Sequence, residues 1–359
     1  MTSRGPLAGL RVVELASIGP GPHCAMLLAD LGAEVLRIER EGGAGPPNPI
    51  ADRGRSVKTL DIRTEAGREW CLAALEHADV LIEGMRPGVM ERLGLGPEEC
   101  LARNPALIYG RMTGWGQTGP LAQMAGHDIN YIGLTGALAA IGRSGEPAAV
   151  PLNLVGDFGG GSLYLAFGIM AALFERQRTG RGQVVDAAIV DGTMSMMGFL
   201  YGLAQSGTID LDRSRNLLGG AAPFYRTYLC ADGKEIAVGA IEPKFFADLV
   251  TRLDRADLIA TQHDCASWPE TAAIFARIFA GQPRDHWAEL FAGTDACVTP
   301  VLDHTEVADH PHMQGRGVRA NDSGVCDVPP APRFSNRAGT STRSEPPSPE
   351  VLLDGWARR

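Results

Sequence analysis

Residues 9–40, GLRVVELASIGPGPHCAMLLADLGAEVLRIER, set the fold of the first half of the chain. The segments LRVVEL (10–15) and AEVLRIE (33–39) are apolar and contain β-branched residues, which is typical of buried strands. Between them, HCAMLLADLG (23–32) has the pattern of a helix that ends at a glycine. A strand, a helix and a strand in so short a stretch predict a βαβ unit with parallel strands.

The same alternation continues along the chain. Strand-like and helix-like segments follow in the order SVKTLDI (56–62), EAGREWCLAALEHA (65–78), DVLIEG (79–84), PEECLARN (97–104) and ALIYGRM (106–112). Two long apolar helices around 130–141 and 161–177, a strand QVVDAAI (183–189) and a Met-rich helix from 192 to about 205 come next. This pattern predicts an α/β fold in which helices cover a parallel sheet.

The pattern changes near residue 220. Asp232 and Gly233 lie between two alternating segments in YRTYLCADGKEIAVGA (225–240), a strong hairpin signal. The amphipathic segments KFFADLVTRL (244–253) and RDHWAELFAG (284–293) follow, so 220–305 is predicted to be a smaller α+β domain. From Asp327 onward the Pro/Ser-rich sequence predicts an extended surface segment, with VLLDGW (351–356) as a short closing helix.

Composition limits the possible functions. The 359 residues carry a net charge of −9, which argues against nucleic acid as a partner. Seven single cysteines without a C-x-x-C pair predict neither disulfides nor a metal site. The longest uninterrupted apolar run, residues 163–174, is shorter than the roughly 20 residues that cross a bilayer, and no signal peptide is recognisable. We therefore expect a cytoplasmic protein that does not bind a membrane.

The first half is nevertheless locally basic. Its cations are Arg37, Arg40, Arg53, Arg55, Lys58, Arg63, Arg86 and Arg92. A compact anionic ligand would suit such a region.

Four motifs have both a structural and a functional interpretation. IGPGPHC (18–24) imitates the start of a dinucleotide-binding loop, but it lacks the third glycine and has two prolines, which favours a tight structural turn. Asp157 precedes three glycines at a helix start, where it is either an N-cap or part of an oxyanion-stabilising site. His127 alone is more typical of a hydrogen-bonded core histidine, and Glu242 before Pro243 of a helix cap.

Read together, these motifs resemble a known family. DVLIEGMRPGVMERLGLGPEE, LIYGRMTGWGQTGP, AGHDINY, LVGDFGGGS, GQVVDAAIVDG and AVGAIEPKF occur in the order seen in the bacterial type of the alpha-methylacyl-CoA racemase family, within the family III CoA transferase superfamily. The resemblance covers nearly the whole chain. It implies a Rossmann-like large domain (1–190), a linker helix (191–219), the small α+β domain (220–305) and a return linker with a C-terminal segment that packs on the large domain (306–359). It also implies an interlocked homodimer with active sites shared between the chains, and no cofactor apart from coenzyme A within the substrate.

The resemblance assigns roles to individual residues. His127 and Asp157 match the catalytic acid/base residues, and Glu242 matches a glutamate that hydrogen-bonds the partner chain's histidine. The implied CoA and substrate contacts are Ile18, Arg40, Leu60, Asp61, Ile62, Arg63, Gly84, Met85, Arg86, Arg92, Gly126, Asp128, Ile129, Asn130 and Tyr131.

These roles imply inversion of the α carbon of 2-methylacyl-CoA thioesters by proton transfer through an enolate. Backbone N–H groups around Asp157 and its glycines are expected to stabilise the enolate oxygen. The first alternative is a family III CoA transferase in which Asp157 is the nucleophile. A non-catalytic CoA-binding module and an NAD-dependent oxidoreductase, the latter argued only from IGPGPHC, are weaker alternatives.

Overall fold

The computed structural model describes residues 5–43, 45–322, 324–335 and 346–358. The chain forms two compact units. The first consists of the described parts of Met1–Thr135, Pro151–Met196 and Asp327–Arg359, and the second of those of Gly136–Val150 and Met197–Cys326.

The described part of the first unit contains six strands, eight α-helices and one π-helical segment, wholly or in part. The strands are β1 (Arg11–Leu15), β2 (Glu34–Glu39), β3 (Arg55–Thr59), β4 (Val80–Glu83), β5 (Ile108–Thr113) and β6 (Gln183–Ala188). The helices are α1 (Pro20–Asp30), α2 (Glu65–Glu76), α3 (Val89–Arg92), α4 (Pro97–Arg103), α5 (Asp128–Leu134), α7 (Leu163–Thr179) and α13 (Pro349–Ala357), with a π-helical segment (Leu154–Ser162) before α7 and α8 (Ile189–Gln205) running on into the second unit.

All six strands are parallel and lie in the order β3-β2-β1-β4-β5-β6. This is the strand order of the Rossmann fold, with its reversal between β1 and β4. The predicted α/β class and Rossmann-like sheet are confirmed. In such sheets ligands bind beyond the carboxyl ends of the strands at the reversal, so the order already indicates where a site should lie.

The central strands β1, β2, β4 and β5 are buried on both faces, because they alternate apolar side chains between two helical layers. Val13 and Leu81 pack with α2 and α13, whereas Val12 and Val80 pack with α1 and α7. The closing helix α13 contributes Trp356, which is fully buried and donates a hydrogen bond from Nε1 to Glu34 at 2.7 Å. The C-terminal helix therefore belongs to the core of the first unit.

Two helix predictions differ from the structure. The helix predicted over 130–141 is wrong as a single element, because Gly136 adopts a φ of 78° and separates α5 from α6 (Ala137–Ala140). The helix predicted from 161 begins earlier, since a π-type hydrogen bond from Phe158 N–H to Asn153 O (3.2 Å) opens a helical stretch at Leu154. π-helical turns of this kind often occur at functional sites.

This longer helix changes the argument about membranes. Leu154–Thr179 forms 26 continuous helical residues and contains an 18-residue window with a mean hydropathy of 1.4, enough by length and composition to cross a bilayer. The short apolar run 163–174 is thus part of a longer helix. Leu165 and Ile169 are nevertheless fully buried against the sheet, and apolar core helices pass the same test.

The second unit is an α+β structure, as predicted for 220–305. It contains an antiparallel sheet of β7 (Tyr225–Leu229), β8 (Glu235–Gly239) and β9 (Val298–Pro300), and the short strands β10 (Arg319–Ala320) and β11 (Cys326–Asp327). Its remaining helices are α9 (Pro243–Arg252), α10 (Trp268–Phe279), α11 (Arg284–Phe291), α12 (Pro311–Gly315) and the 3₁₀ turns Ala256–Thr261 and Val307–Asp309. The predicted hairpin turn is present, with Gly233 at a φ of 76°.

The grouping of the chain differs from the sequence-based domain boundaries at three places. The linker helix expected over 191–219 is not one element, because α8 ends at Gln205 and residues 197–219 group with the second unit. Residues 136–150 were expected in the large domain, but they pack within the second unit, where Gly142 lies against Arg213 and Gly219 against Ala140. Residues 306–326 also belong to the second unit, and part of the Pro/Ser-rich segment, 336–345, lies outside the described residues.

Candidate active site

The carboxyl edge of the parallel sheet gathers most of the expected ligand contacts. Ile18 follows β1, Arg40 follows β2, Leu60–Arg63 follow β3 and Gly84–Arg86 follow β4. Parallel strands bring their carboxyl ends to one edge, so segments far apart in sequence meet there. A β-carbon at Gly84 would lie 2.9 Å from Ser17 Oγ, which demonstrates how closely the loops after β1 and β4 approach.

A buried ion-pair network supports the loop after β4. Glu83 is fully buried, accepts a hydrogen bond from the Met85 backbone N–H (2.6 Å) and pairs with Arg111 at 3.0 Å. Arg111 also pairs with Glu91 of α3 at 2.8 Å. Burial raises the pKa of Glu83 to about 7, although Arg111 and the Met85 N–H oppose the shift. The network fixes the start of the Gly84–Arg86 segment.

Only part of the basic composition is available to a ligand. Arg37, Arg53 and Arg55 form internal ion pairs, and Lys58 pairs with Glu350 at 2.8 Å. Arg63 is exposed but pairs with neighbouring Asp61 at 2.8 Å. Among the described residues Arg40, Arg86 and Arg92 are exposed and make no ion pair. The local excess of cations in the sequence therefore overstated the positive charge at the sheet edge.

His127 is the N-cap residue of α5. Its extended backbone (φ −131°, ψ 173°) starts the helix, and its N–H donates to Asn130 Oδ1 at 3.0 Å. The residue is exposed, in contrast to a core histidine. Tyr131, one helical turn later, donates from its hydroxyl to Gly126 O. Its ring packs edge-on against that of Trp115, with the ring centroids 4.7 Å apart. The 126–131 segment thus presents the His127 side chain from a well-fixed helix start.

Asp128 is the buried member of this segment, with 7% of its surface exposed. Its Oδ2 accepts a hydrogen bond from the Asp157 backbone N–H at 2.6 Å. That N–H is therefore already bonded to a carboxylate, and oxyanion stabilisation by the other N–H groups around Asp157 stays a prediction.

Asp157 lies in the π-helical segment, against the first turn of α1. A β-carbon at Gly19 would lie 3.1 Å from Asp157 Oδ2. Gly19 follows β1, so the carboxyl group is at the strand-order reversal of the sheet. A dinucleotide would place its pyrophosphate at the start of α1. In this chain the Asp157 carboxylate lies next to that position, and Pro20 and Pro22 have no N–H to donate, so the position does not suit a pyrophosphate.

The electrostatics of Asp157 suit proton transfer. Burial is the main cause that raises its pKa, and the charge of Asp128 adds to the effect. The Asn153 amide, which donates to Oδ2 at 3.2 Å, and His127 act in the opposite direction. His127 is therefore near enough to Asp157 for its charge to oppose the rise in the pKa of that carboxyl.

Two of the three glycines that follow Asp157 in the sequence have a packing role. A β-carbon at Gly160 would lie 2.4 Å from Thr193 Oγ1, and one at Gly161 would lie 3.1 Å from Ile189 and Pro20. They let the π-helical segment approach α8 and α1 closely, which fixes Asp157.

Two residues near Asp157 were not recognised in the sequence. Asn153 hydrogen-bonds its carboxyl, and His23 stacks on Phe158 with ring centroids 4.5 Å apart while its Nδ1 lies 2.7 Å from Ser162 Oγ. Burial lowers the pKa of His23. Sequence spacing gives no signal for the His23 contacts, because they join α1 to a segment more than 130 residues away, whereas Asn153 is only four positions before Asp157. Glu242 lies in the second unit, where it is the N-cap residue of α9 and is exposed.

Comparison with known proteins identifies the family. A model described as CoA-transferase family III matches residues 7–350. Alpha-methylacyl-CoA racemase of Mus musculus is 46% identical over 344 residues, covering 95% of this chain and 90% of that protein. Succinyl-CoA–D-citramalate CoA-transferase of Chloroflexus aurantiacus is 34% identical over 267 residues, covering 70% and 66%. The crystal structure of a CAIB/BAIF family protein from Brucella suis superimposes with a TM-score of 0.79 at 30% identity, covering 99% and 100%. The chain therefore belongs to CoA-transferase family III.

Proposed function

We propose that this protein is a racemase that inverts the α carbon of 2-methylacyl-CoA thioesters. The observation that carries the proposal is the placement of His127 near Asp157 at the strand-order reversal, with the pKa of Asp157 raised mainly by burial. The 46% identity to a racemase over 95% of the chain supports the same reaction.

Inversion requires that one group removes the α proton from one face while another returns a proton to the opposite face. For one epimer neutral His127 is the base and protonated Asp157 the acid, and for the other epimer the roles reverse. A carboxyl whose pKa is raised remains available as an acid at higher pH. The Asp157 N–H is already bonded, and the Asn130 and Tyr131 N–H groups bond to His127 O. The Asp128 and Ile129 N–H groups at the start of α5 are therefore the proposed donors for the enolate oxygen.

The substrate's CoA moiety is assigned to the sheet edge. Arg40, Arg86 and Arg92 would pair with its phosphates, and the segments after β1, β3 and β4 would line its adenosine and pantetheine parts. The proposed reaction needs no cofactor other than the CoA of the substrate, and no metal, nucleic acid or membrane. We propose in addition that the protein is cytoplasmic.

A second copy of the chain is the proposed partner. Helix α7 exposes Leu163, Phe167, Met170 and Phe174 along one face, with Phe167 73% exposed. A row of exposed apolar side chains on one helix face usually marks a protein interface. In the proposed homodimer Glu242 of one chain hydrogen-bonds His127 of the other, so the active sites are shared.

Epimerisation in deuterated water tests the reaction. A pure 2-methylacyl-CoA epimer should approach a near-equal mixture, with deuterium incorporated only at the α carbon. His127→Ala and Asp157→Ala should each lose epimerisation by about 10²- to 10⁴-fold or more. Each variant should retain slow label exchange with one epimer only, and the two variants with opposite epimers. Exchange of the same epimer by both would contradict the two-base mechanism.

CoA transfer remains the second candidate, because a transferase is 34% identical over part of the chain. In that reaction the Asp157 carboxylate attacks the thioester carbonyl, forms an acyl anhydride and releases CoA thiolate. Acyl exchange onto an added free acid, without epimerisation, would identify this activity instead.

A further inference from the structure

Asp128 combines burial with an incomplete set of hydrogen bonds. Oδ2 accepts the Asp157 N–H at 2.6 Å, whereas Oδ1 is buried and has no hydrogen-bond partner among the described residues. A β-carbon at Gly156 would lie 2.4 Å from Oδ2, so the glycine before Asp157 leaves the space that this carboxylate needs. A buried, half-satisfied carboxylate is costly to stability, which points to a role beyond packing.

Among the described groups that act on the pKa of Asp157, Asp128 is the one that carries a negative charge. From α5 come Asp128, His127 and the Tyr131 hydroxyl, and from α1 comes His23, stacked on Phe158. The segment itself contributes the Asn153 amide. A like charge favours the protonated form of a neighbouring carboxyl.

We propose that Asp128 is a positioning residue for the acid/base reaction: its carboxylate holds the Asp157 backbone through the N–H and, by its charge, favours the acid form of the Asp157 carboxyl. This inference rests on the proposed function and deepens it. The Asp128 side chain is directed at the Asp157 backbone, so a contact of this residue with CoA would come from its main-chain atoms.

Asp128→Asn separates charge from hydrogen bonding. The amide oxygen can still accept the Asp157 N–H, but the negative charge is absent. We expect the acidic limb of the kcat/KM–pH profile to move to lower pH by about half a unit or more, because that limb reports the coupled acid/base pair. The KM for acyl-CoA and inhibition by free CoA should stay within about twofold of wild type. Asp128→Ala, which also removes the acceptor, should in addition lower kcat.

A titration that needs no turnover keeps this inference distinct from the proposed reaction. The Asp157 carboxyl is followed by ¹³C NMR in the free protein, with Asp157→Asn for assignment. Its midpoint should fall by about half a unit or more in Asp128→Asn. If that variant does not fold, Asp128→Ser, which keeps a hydroxyl acceptor without charge, gives the same comparison. An unchanged midpoint, or weaker CoA inhibition by more than fivefold, would overturn the positioning role. Absence of epimerisation in the wild type would overturn the proposed function, whatever the titration gives.

Discussion

Substitution of Gly160 by alanine should disable the site without touching a reacting group. The added β-carbon would meet Thr193 Oγ1 at 2.4 Å and the backbone of Ile189 and Thr193 at 2.9 Å. Two of these three atoms are backbone and cannot rotate away, so the π-helical segment and α8 must separate by about 1 Å. Overpacking of this kind costs roughly 1–3 kcal/mol of folding free energy. Displacing a catalytic group by about 1 Å costs on the order of 10²-fold in rate.

The assay combines thermal unfolding with the epimerisation rate. Gly160→Ala should lower the melting temperature and reduce kcat far more than it raises KM, because Asp157 moves and the arginines at the sheet edge do not. Gly355→Ala in α13 is the matched control: its β-carbon meets nothing within 4 Å, so it should add about 0.5–1 kcal/mol of stability and leave the rate unchanged. Thr193→Ala combined with Gly160→Ala should recover part of the loss.

A Gly160→Ala protein with wild-type melting temperature and rate would refute the packing argument. Loss of stability with an unchanged kcat would instead refute the claim that this contact positions Asp157.

Three further outcomes follow from the same structure. Arg40→Ala and Arg92→Ala should each raise KM with little change in kcat, since these arginines bind the non-reacting end of the substrate. The control Arg103→Ala, on the outer helix α4, should change neither KM nor kcat. An unchanged KM in both Arg40→Ala and Arg92→Ala would remove these two arginines from the CoA site. Glu14→Gln should cost about 3–5 kcal/mol in denaturant unfolding because it leaves the fully buried Arg55 without its carboxylate, and a cost below about 1 kcal/mol would contradict this. The pKa of Glu83 is raised from 4.5 in the unfolded chain to about 7 in the folded protein, so the folded state binds this proton more tightly. The free energy of unfolding should therefore fall as the pH rises from 4.5 to 7. Glu83→Gln should flatten that part of the pH–stability curve.

The local patterns predicted a large part of the fold. Alternation of apolar strands and helices from Leu10 onward predicted the parallel sheet, and Asp232-Gly233 predicted the hairpin, because burial on both faces and turn geometry each require particular residues within a short stretch. Patterns were less reliable where backbone geometry departs from the regular α-helix. The break at Gly136 depends on one positive φ and the π-helical turn at Leu154 on one hydrogen bond, and apolar periodicity encodes neither.

The sequence by itself determined the elements, the residue types for acid/base chemistry and, through the order of its motifs, the family. The tertiary structure decided which of those residues are free to act. Arg37, Arg53, Arg55 and Lys58 have the same charge as Arg40 and Arg92, and only the partners brought by other segments neutralise them. Likewise, Asp128 and Asp157 are 29 positions apart, and the Asp128 carboxylate reaches the Asp157 backbone N–H only when α5 packs on the π-helical segment. Charge and hydrogen-bonding capacity are properties of a residue, whereas desolvation and pairing are properties of its surroundings.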